Sequence, residues 1–243
     1  MKDGYFEIIS NRKIAKNTYE MVLQGDISEI TASGQFVNIK LDGFYLRRPI
    51  SVCDAINDRL TLIYKVVGEG TEKMAEMQRG KSLLVLTGLG NGYNLEKSGD
   101  KPLLIGGGAG VPPMYLLCKQ LLKQGKTPTV ILGFGSADEV FYKEEFECLG
   151  VKALVSTVDG SFGTKGFVTD CMDGVDYSYF YTCGPEPMLK AVYDKSKTSG
   201  QFSFEERMGC GFGACMGCSC KTKYGNKRIC RDGPVLEKEE IIW

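Results

Sequence analysis

Five of the chain's ten cysteines fall between residues 210 and 230, and four of them keep the spacing Cys210-x4-Cys215-x2-Cys218-x11-Cys230. Three thiolates on a short loop, closed by a fourth from a distance, form the ligand pattern of a 2Fe-2S cluster. Gly209, Gly211, Gly213 and Gly217 interleave the ligands, as they must in a loop that turns tightly and aims backbone N–H groups at sulfur. A four-cysteine zinc site is the alternative reading, although zinc folds generally use two short Cys pairs set well apart. Cys220 stands outside the pattern. Cys53, Cys118, Cys148 and Cys171 have apolar neighbours and are expected as small core residues.

The chain has no histidine, which removes Ser-His-Asp and Cys-His nucleophiles, Rieske ligation and histidine-based zinc hydrolysis. Lys plus Arg and Asp plus Glu both total 30, so overall charge favours neither nucleic acid nor an anionic membrane. No segment approaches the roughly 18 uninterrupted apolar residues of a membrane span. The start, MKDGYFEIIS, lacks a basic region followed by an apolar run. A soluble, cytoplasmic protein that binds metal without a disulfide framework is the expectation.

Two further constellations carry chemistry. Arg48-Pro49-Ile50-Ser51 and Tyr64 to Thr71 outline a dinucleotide site: Arg48 can neutralise a phosphate, Ser51 can hydrogen-bond a ring nitrogen, and Gly70-Thr71 at a helix start can offer N–H groups. A surface cation and an ordinary helix cap are the plain alternative. Gly106-Gly107-Gly108-Ala109-Gly110 lies between an apolar run and Val111-Pro112-Pro113. There Gly107, Gly108 and Gly110 let backbone approach a pyrophosphate at a helix N-terminus. Pro113 occupies the place of the last glycine in G-x-G-x-x-G, which disfavours a Rossmann dehydrogenase. Gly133 to Glu139 holds acids and no arginine, which favours NAD over NADP.

The elements that must position these residues change texture along the chain. Up to Thr87 the runs YFEIIS, TYEMVL, QFVNIKL, RRPISV, RLTLIYKVV and SLLVLTG predict an antiparallel barrel, interrupted by a helix over Thr71 to Gln78. Beyond the polar bridge Glu96 to Lys101, a strand, glycine turn and proline-started helix lead into strands at TVILGF, VKALVS and YSYFYTCG, with a helix over Glu186 to Lys197. That alternation predicts a parallel α/β sheet. The Cys-rich end is too small to own a core. The expected domains are residues 1–97 as dinucleotide-binding β-barrel, 98–207 as NAD-binding α/β domain and 208–243 as 2Fe-2S subdomain.

The R-P-x-S of Arg48 to Ser51, the later G-x-G-T, the G-G-G-x-G-x-x-P turn and Cys183-Gly184-Pro185-Glu186-Pro187-Met188 together resemble the ferredoxin reductase family of flavoproteins, over nearly the whole chain. Within it, E-R-M-x-C-G-x-G-x-C-x-x-C at Glu206 to Cys218, followed by C-x-D-G-P-V at Cys230 to Val235, is similar to the electron-transfer subunits of NAD-linked, B-type dihydroorotate dehydrogenases. The resemblance implies that FAD is held by Arg48, Pro49, Ile50 and Ser51, by Ile63, Tyr64 and Lys65, and by Gly70 with Thr71. It places Cys183 and Gly184 beside the nicotinamide of NAD. Ile50 stands where the family usually has an aromatic residue, so an aliphatic group would cover the flavin.

The resemblance further implies a partner, an FMN-containing dihydroorotate dehydrogenase catalytic subunit in a heterotetramer of two plus two. Electrons would pass from dihydroorotate to that FMN, then through the 2Fe-2S cluster and FAD to NAD+. The exposed rim around the cluster, including Phe212 and Met216, is the expected docking surface. Reductase subunits serving ferredoxin-dependent, sulfide-linked or hydrogenase complexes share this layout and differ in partner. A zinc-bearing interaction module without flavin is the reading from another class.

Overall fold

The computed structural model describes residues 1–243. Six antiparallel strands close into a barrel in the order β1-β2-β5-β4-β3-β6. They are β1 (Lys2–Ala15), β2 (Thr18–Gln24), β3 (Phe36–Ile39), β4 (Arg48–Ile56), β5 (Arg59–Lys65) and β6 (Ser82–Leu89). Tight turns at Asn17 and Asn57, whose φ values are 52° and 56°, join β1 to β2 and β4 to β5. Asparagine tolerates that left-handed conformation, which suits the twist of a hairpin. Phe6, Ile8, Met21, Leu23, Val37, Ile39, Leu60 and Leu62 fill the barrel. The expected helix begins two residues early and ends three residues early, as α1 (Glu69–Ala75).

A seven-stranded sheet follows, in the order β10-β9-β8-β7-β11-β12-β15. Its members are β7 (Pro102–Gly107), β8 (Thr129–Phe134), β9 (Lys152–Thr157), β10 (Thr164–Lys165), β11 (Tyr179–Cys183), β12 (Gly200–Ser203) and β15 (Val235–Glu237). All neighbours run parallel except β15, which pairs antiparallel with β12. The helices are α2 (Val111–Lys123), α3 (Lys143–Cys148), α4 (Val168–Cys171) and α5 (Glu186–Lys195). Pro112 and Pro113 sit in the first turn of α2, where their missing N–H groups cost nothing. The hairpin β13 (Ser219–Thr222) and β14 (Gly225–Arg228), with α6 (Ile229–Asp232), completes the Cys-rich end. Its Ile229, Cys230, Leu236 and Ile241 are buried in a core group shared with the sheet.

Cys53, Cys118 and Cys171 are buried as expected, but Cys148 is exposed. In the short α3 the buried position is Phe146, which turns Cys148 to the opposite side.

Barrel and sheet are joined by polar struts. Lys119 of α2 pairs with Asp54 of β4 at 2.6 Å, both side chains largely covered. The Tyr142 hydroxyl donates to Glu20 of β2 at 2.9 Å, and Arg12 Nε donates to the other oxygen of that carboxylate at 2.8 Å. Burial raises the Tyr142 pKa, so the hydroxyl stays a donor. Tyr142 holds a left-handed φ of 65°, and its ring lies edge-on to Tyr115 with 5.1 Å between centroids.

Replacing Tyr142 by Phe strips a donor from the buried Glu20 carboxylate. We expect a loss of about 2 kcal/mol, and a melting temperature lower by roughly 4–8 °C, read by near-ultraviolet circular dichroism. An unchanged melt would show that the contact does not brace the two halves.

Candidate functional site

A cleft of about 740 Å³ opens between barrel, sheet and Cys-rich segment, a size and mixed lining typical of cofactor sites. Arg48, Pro49, Ile50 and Ser51 from β4, Ile63, Tyr64 and Lys65 from β5, and Gly70 with Thr71 from α1 all line it. The two expected elements therefore converge. Arg48 lies over the Phe44 ring at 4.4 Å and donates to the Leu46 carbonyl. A Cβ at Gly70 would collide with the Arg48 guanidinium, so the bare glycine leaves that cation its place. Tyr64 is buried and its hydroxyl donates to Asn11 at 3.0 Å. The Thr71 N–H already donates to Gly68 O at 2.9 Å. Its hydroxyl accepts from the Val67 N–H at 2.9 Å, so Thr71 first of all shapes the loop.

The glycine turn and Cys183-Gly184 meet through backbone. β11 pairs with β7 so that Cys183 faces Gly106, and a Cβ at Gly110 would overlap the Cys183 carbonyl. Gly107 is likewise pinned by Met188 and Pro185. Gly108, with φ of 51° and nothing within 4 Å of a built Cβ, is the glycine that faces open space. It lines a small hollow with Lys65, Phe134 and Glu139. The acids after β8 serve as interdomain pairs: Lys16 with Asp138 at 3.1 Å and Lys65 with Glu139 at 3.5 Å.

The four cysteines arrange as two pairs. The N–H groups of Ala214 and Cys215 point at Cys210 Sγ from 3.3 and 3.4 Å. The Cys230 N–H points at Cys218 Sγ from 3.4 Å. A two-iron cage takes two sulfurs at each iron, and the paired arrangement suits it. Gly209 keeps the approach clear, since a Cβ there would press on Cys215 Sγ from 3.2 Å. Cys218 and Cys230 are buried, Cys210 is half-buried and Cys215 exposed. Phe212 and Met216 project beside them with 44% and 55% exposure. Arg228 clamps the loop, donating to Gly213 O at 3.0 Å and to Asp232 at 2.9 Å. Cys220 lies apart on β13, half-buried, lining a hollow with Phe204, Leu236 and Trp243.

Ser203, Phe204, Glu205 and Met208 also line the cleft and escaped sequence reasoning, because β12 was not recognised as a strand. Its signal was positional: ligands of open parallel sheets gather at the carboxyl ends of strands, and Ser203 ends β12 beside Cys183. Desolvation raises the Glu205 pKa and, more strongly, that of the Cys183 thiol. Cys183 therefore sits at the cleft as a neutral thiol.

Residues 205–242 match the iron-sulfur cluster binding domain of dihydroorotate dehydrogenase B, and residues 104–194 match the oxidoreductase NAD-binding domain. The dihydroorotate dehydrogenase B (NAD(+)) electron transfer subunit of Bacillus pumilus is 44% identical, with 99% of this chain and 98% of that protein covered. The Fusobacterium nucleatum protein of the same name is 46% identical, with 95% of each covered. Among solved structures, a chain of the NADH-dependent reduced ferredoxin-NADP oxidoreductase superposes with a TM-score of 0.90 at 30% identity, covering 98% of this chain and 90% of its own. A ferredoxin NADP+ reductase from Neisseria gonorrhoeae with bound FAD and NADP shares the fold at TM-score 0.70 and 18% identity, covering 80% and 90%.

Desolvation pushes the Cys210 thiol up, but the N–H groups of Cys215, Phe212 and Ala214 outweigh it and bring its pKa down to about 6. Burial and the neighbouring Cys218 push Cys230 up to about 12. In metal-free protein, labelling of Cys210 by iodoacetamide is expected to accelerate as pH rises through about 6 and then to level off, because the thiolate is the reacting form. A rate still climbing at the ordinary thiol value of about 8.5, followed by peptide mass spectrometry, would mean that the N–H groups do not hold the Cys210 thiolate.

Proposed function

The chain belongs to the family of dihydroorotate dehydrogenase B electron-transfer subunits, and from that premise we propose how its residues link a partner's oxidation of dihydroorotate to NAD+. The carrying observation is a three-way junction. One cleft is lined by Arg48 to Ser51 of the barrel, by Ala109 and Cys183 of the sheet, and by Met208 and Pro234, which flank the cluster cysteines in sequence. A site where all three parts meet is what a relay needs.

In this reading Arg48 neutralises an FAD phosphate, Gly70 leaves that cation room, and Ser51 hydrogen-bonds the ring system. Ile50 covers a ring face with an aliphatic group. Gly108 lets the NAD pyrophosphate approach the start of α2, while Cys183 and Gly184 form the wall against which the nicotinamide is held. Cys210 with Cys215, and Cys218 with Cys230, grip the 2Fe-2S cluster. Nicotinamide exchanges a hydride and an iron-sulfur cluster exchanges single electrons, so a flavin bound between them supplies the conversion. The fit rests on the donor set: paired cysteine sulfurs, one of each pair accepting from backbone N–H groups, and Arg48 in the lining of a cleft of mixed polarity.

A catalytic partner follows from the family, and the proposal adds that it carries FMN and assembles as two plus two. Phe212 and Met216, exposed beside the Cys210 and Cys215 sulfurs, are the docking rim. No helix is long and apolar enough to cross a membrane; the site of action proposed is the cytoplasm.

Two measurements test this. The tagged chain, purified anaerobically from its own cell, is expected to carry FAD, iron and acid-labile sulfide, and to bring a subunit with which it reduces NAD+ on addition of dihydroorotate. Recovery of a ferredoxin-linked flavoprotein or a hydrogenase instead would overturn the partner assignment. Phe212→Asp should weaken co-purification by about tenfold or more, as truncation of an apolar anchor does, with the cluster's visible absorption intact. Undiminished assembly would remove Phe212 from the interface.

A further inference from the structure

Asn38 is 1% exposed and is the polar member of a strand, Phe36-Val37-Asn38-Ile39, that is buried throughout. Val37 and Ile39 point into the barrel core. By the alternation of a strand, Asn38 shares the outer face with Phe36, and Phe36 lines the flavin cleft. The Asn38 Nδ2 donates to the Cys210 carbonyl at 3.3 Å, across 172 residues of chain. It is the one side-chain hydrogen bond from the barrel to the loop 210–218. Its Oδ1 is buried with no partner. A buried amide with an unpaired oxygen costs stability, and an apolar side chain would serve a barrel better, so the cost calls for a role.

The opposite edge of the same strand identifies that role. β3 pairs with β4 in the register Ile39 to Arg48, Asn38 to Pro49, Val37 to Ile50 and Phe36 to Ser51. Every residue of the R-P-I-S element is therefore laddered to this strand. The loop side is fitted to the contact as well: Gly211 is buried with φ of 78°, and a Cβ there would collide with Asn38 Nδ2. One strand of four residues thus touches the flavin element by its backbone and the first cluster cysteine by a side chain.

We propose that Asn38 is a positioning residue, whose buried amide ties the Cys210 carbonyl to the strand carrying Arg48 to Ser51 and so fixes the separation of the flavin and cluster sites. The inference rests on the assignment of those two sites above. It requires no contact between Asn38 and either cofactor.

The test uses the full chain loaded with FAD and cluster. Asn38→Leu keeps the volume and removes the donor, Asn38→Asp keeps the shape and removes the donor, and Gly211→Ala presses on the same contact from the loop. Ser156→Ala, at a buried and equally unpartnered hydroxyl in the sheet, is the control for loss of a buried polar group. FAD, iron and sulfide are counted first. Wild-type protein lacking them overturns the site assignment, independently of Asn38. In loaded variants, reduction of the flavin by NADH should stay within about twofold of wild type. The passage of the electron from flavin to cluster after rapid mixing should slow by more than that twofold margin, because electron transfer falls off steeply as the two sites separate. The electron paramagnetic resonance line shape of the reduced cluster should change too, and neither readout should move in Ser156→Ala. Loss of iron with FAD retained also supports the tie, because it reports a released loop. Passage and line shape equal to wild type in all folded variants overturn the proposal, and so does joint loss of FAD and iron, the signature of a merely structural residue. Should Asn38→Leu fail to fold, Asn38→Asp and Gly211→Ala carry the same readings.

Discussion

Thiolate sulfur inside a protein is tolerated when N–H dipoles face it and side chains stay out of their way. Around Cys210 that condition is met by the successive backbone groups of Ala214 and Cys215, and it is possible because Gly211 and Gly213, with φ of 78° and 89°, turn the loop where other residues would be strained. The same bare backbone allows the loop to approach Asn38 on one side and Arg231 on the other. Much of the rest follows as support for this loop. Arg228 clamps it from the hairpin. Asn91, just past β6, brackets Val235 by donating to its carbonyl at 2.8 Å and accepting from its N–H at 3.1 Å.

A loop held this way still has to be placed against the nucleotide sites, and the means are mostly polar. Lys119 with Asp54, Tyr142 with Glu20, and Lys16 with Asp138 span barrel and sheet at separate points. An apolar interface alone is tolerant of sliding, whereas hydrogen-bonded charges lose their partners if they slip. Beneath these struts, Cys53 and Ile63 from the barrel belong to the same core group as Leu104 and Leu132 of the sheet. Packing supplies the adhesion between the halves and the struts supply the register.

Reading the sequence recovered what local chemistry dictates. The barrel strands announced themselves by β-branched runs, α2 by its prolines and the cluster by cysteine spacing. The short β12 (GQFS) and β15 (VLE) carry too little pattern to be seen and exist because each finds a partner edge. With β12 unseen, Ser203 to Glu205 could not be placed in the cleft. Cys148 was misjudged for a related reason, since a six-residue α3 offers too few turns to reveal which side is buried. The glycine turn was legible as a strand-to-helix turn, but the overlap of a Cβ at Gly110 with the Cys183 carbonyl gives that glycine a packing role no spacing could disclose. Asn38 was invisible altogether, because its meaning lies in a contact 172 residues away.

The Cys-rich end gains its order from the same long-range pairing. Its own hairpin, β13 with β14, is four residues per strand, too little for independent stability. Yet β15 continues the large sheet, Thr222 bridges to Ile241, and Lys223 is held by the Glu240 carbonyl at 2.9 Å. Cys218 and Cys230 are thereby drawn into the core group that contains Phe36, while Cys215 remains exposed. The two sulfur pairs consequently differ in surroundings: one is embedded with residues that reach the cleft, and the other stands nearer the surface. For a family that passes electrons between subunits, that gradient of burial gives the site an inner and an outer side, and it arises from where the sheet accepts its last strand.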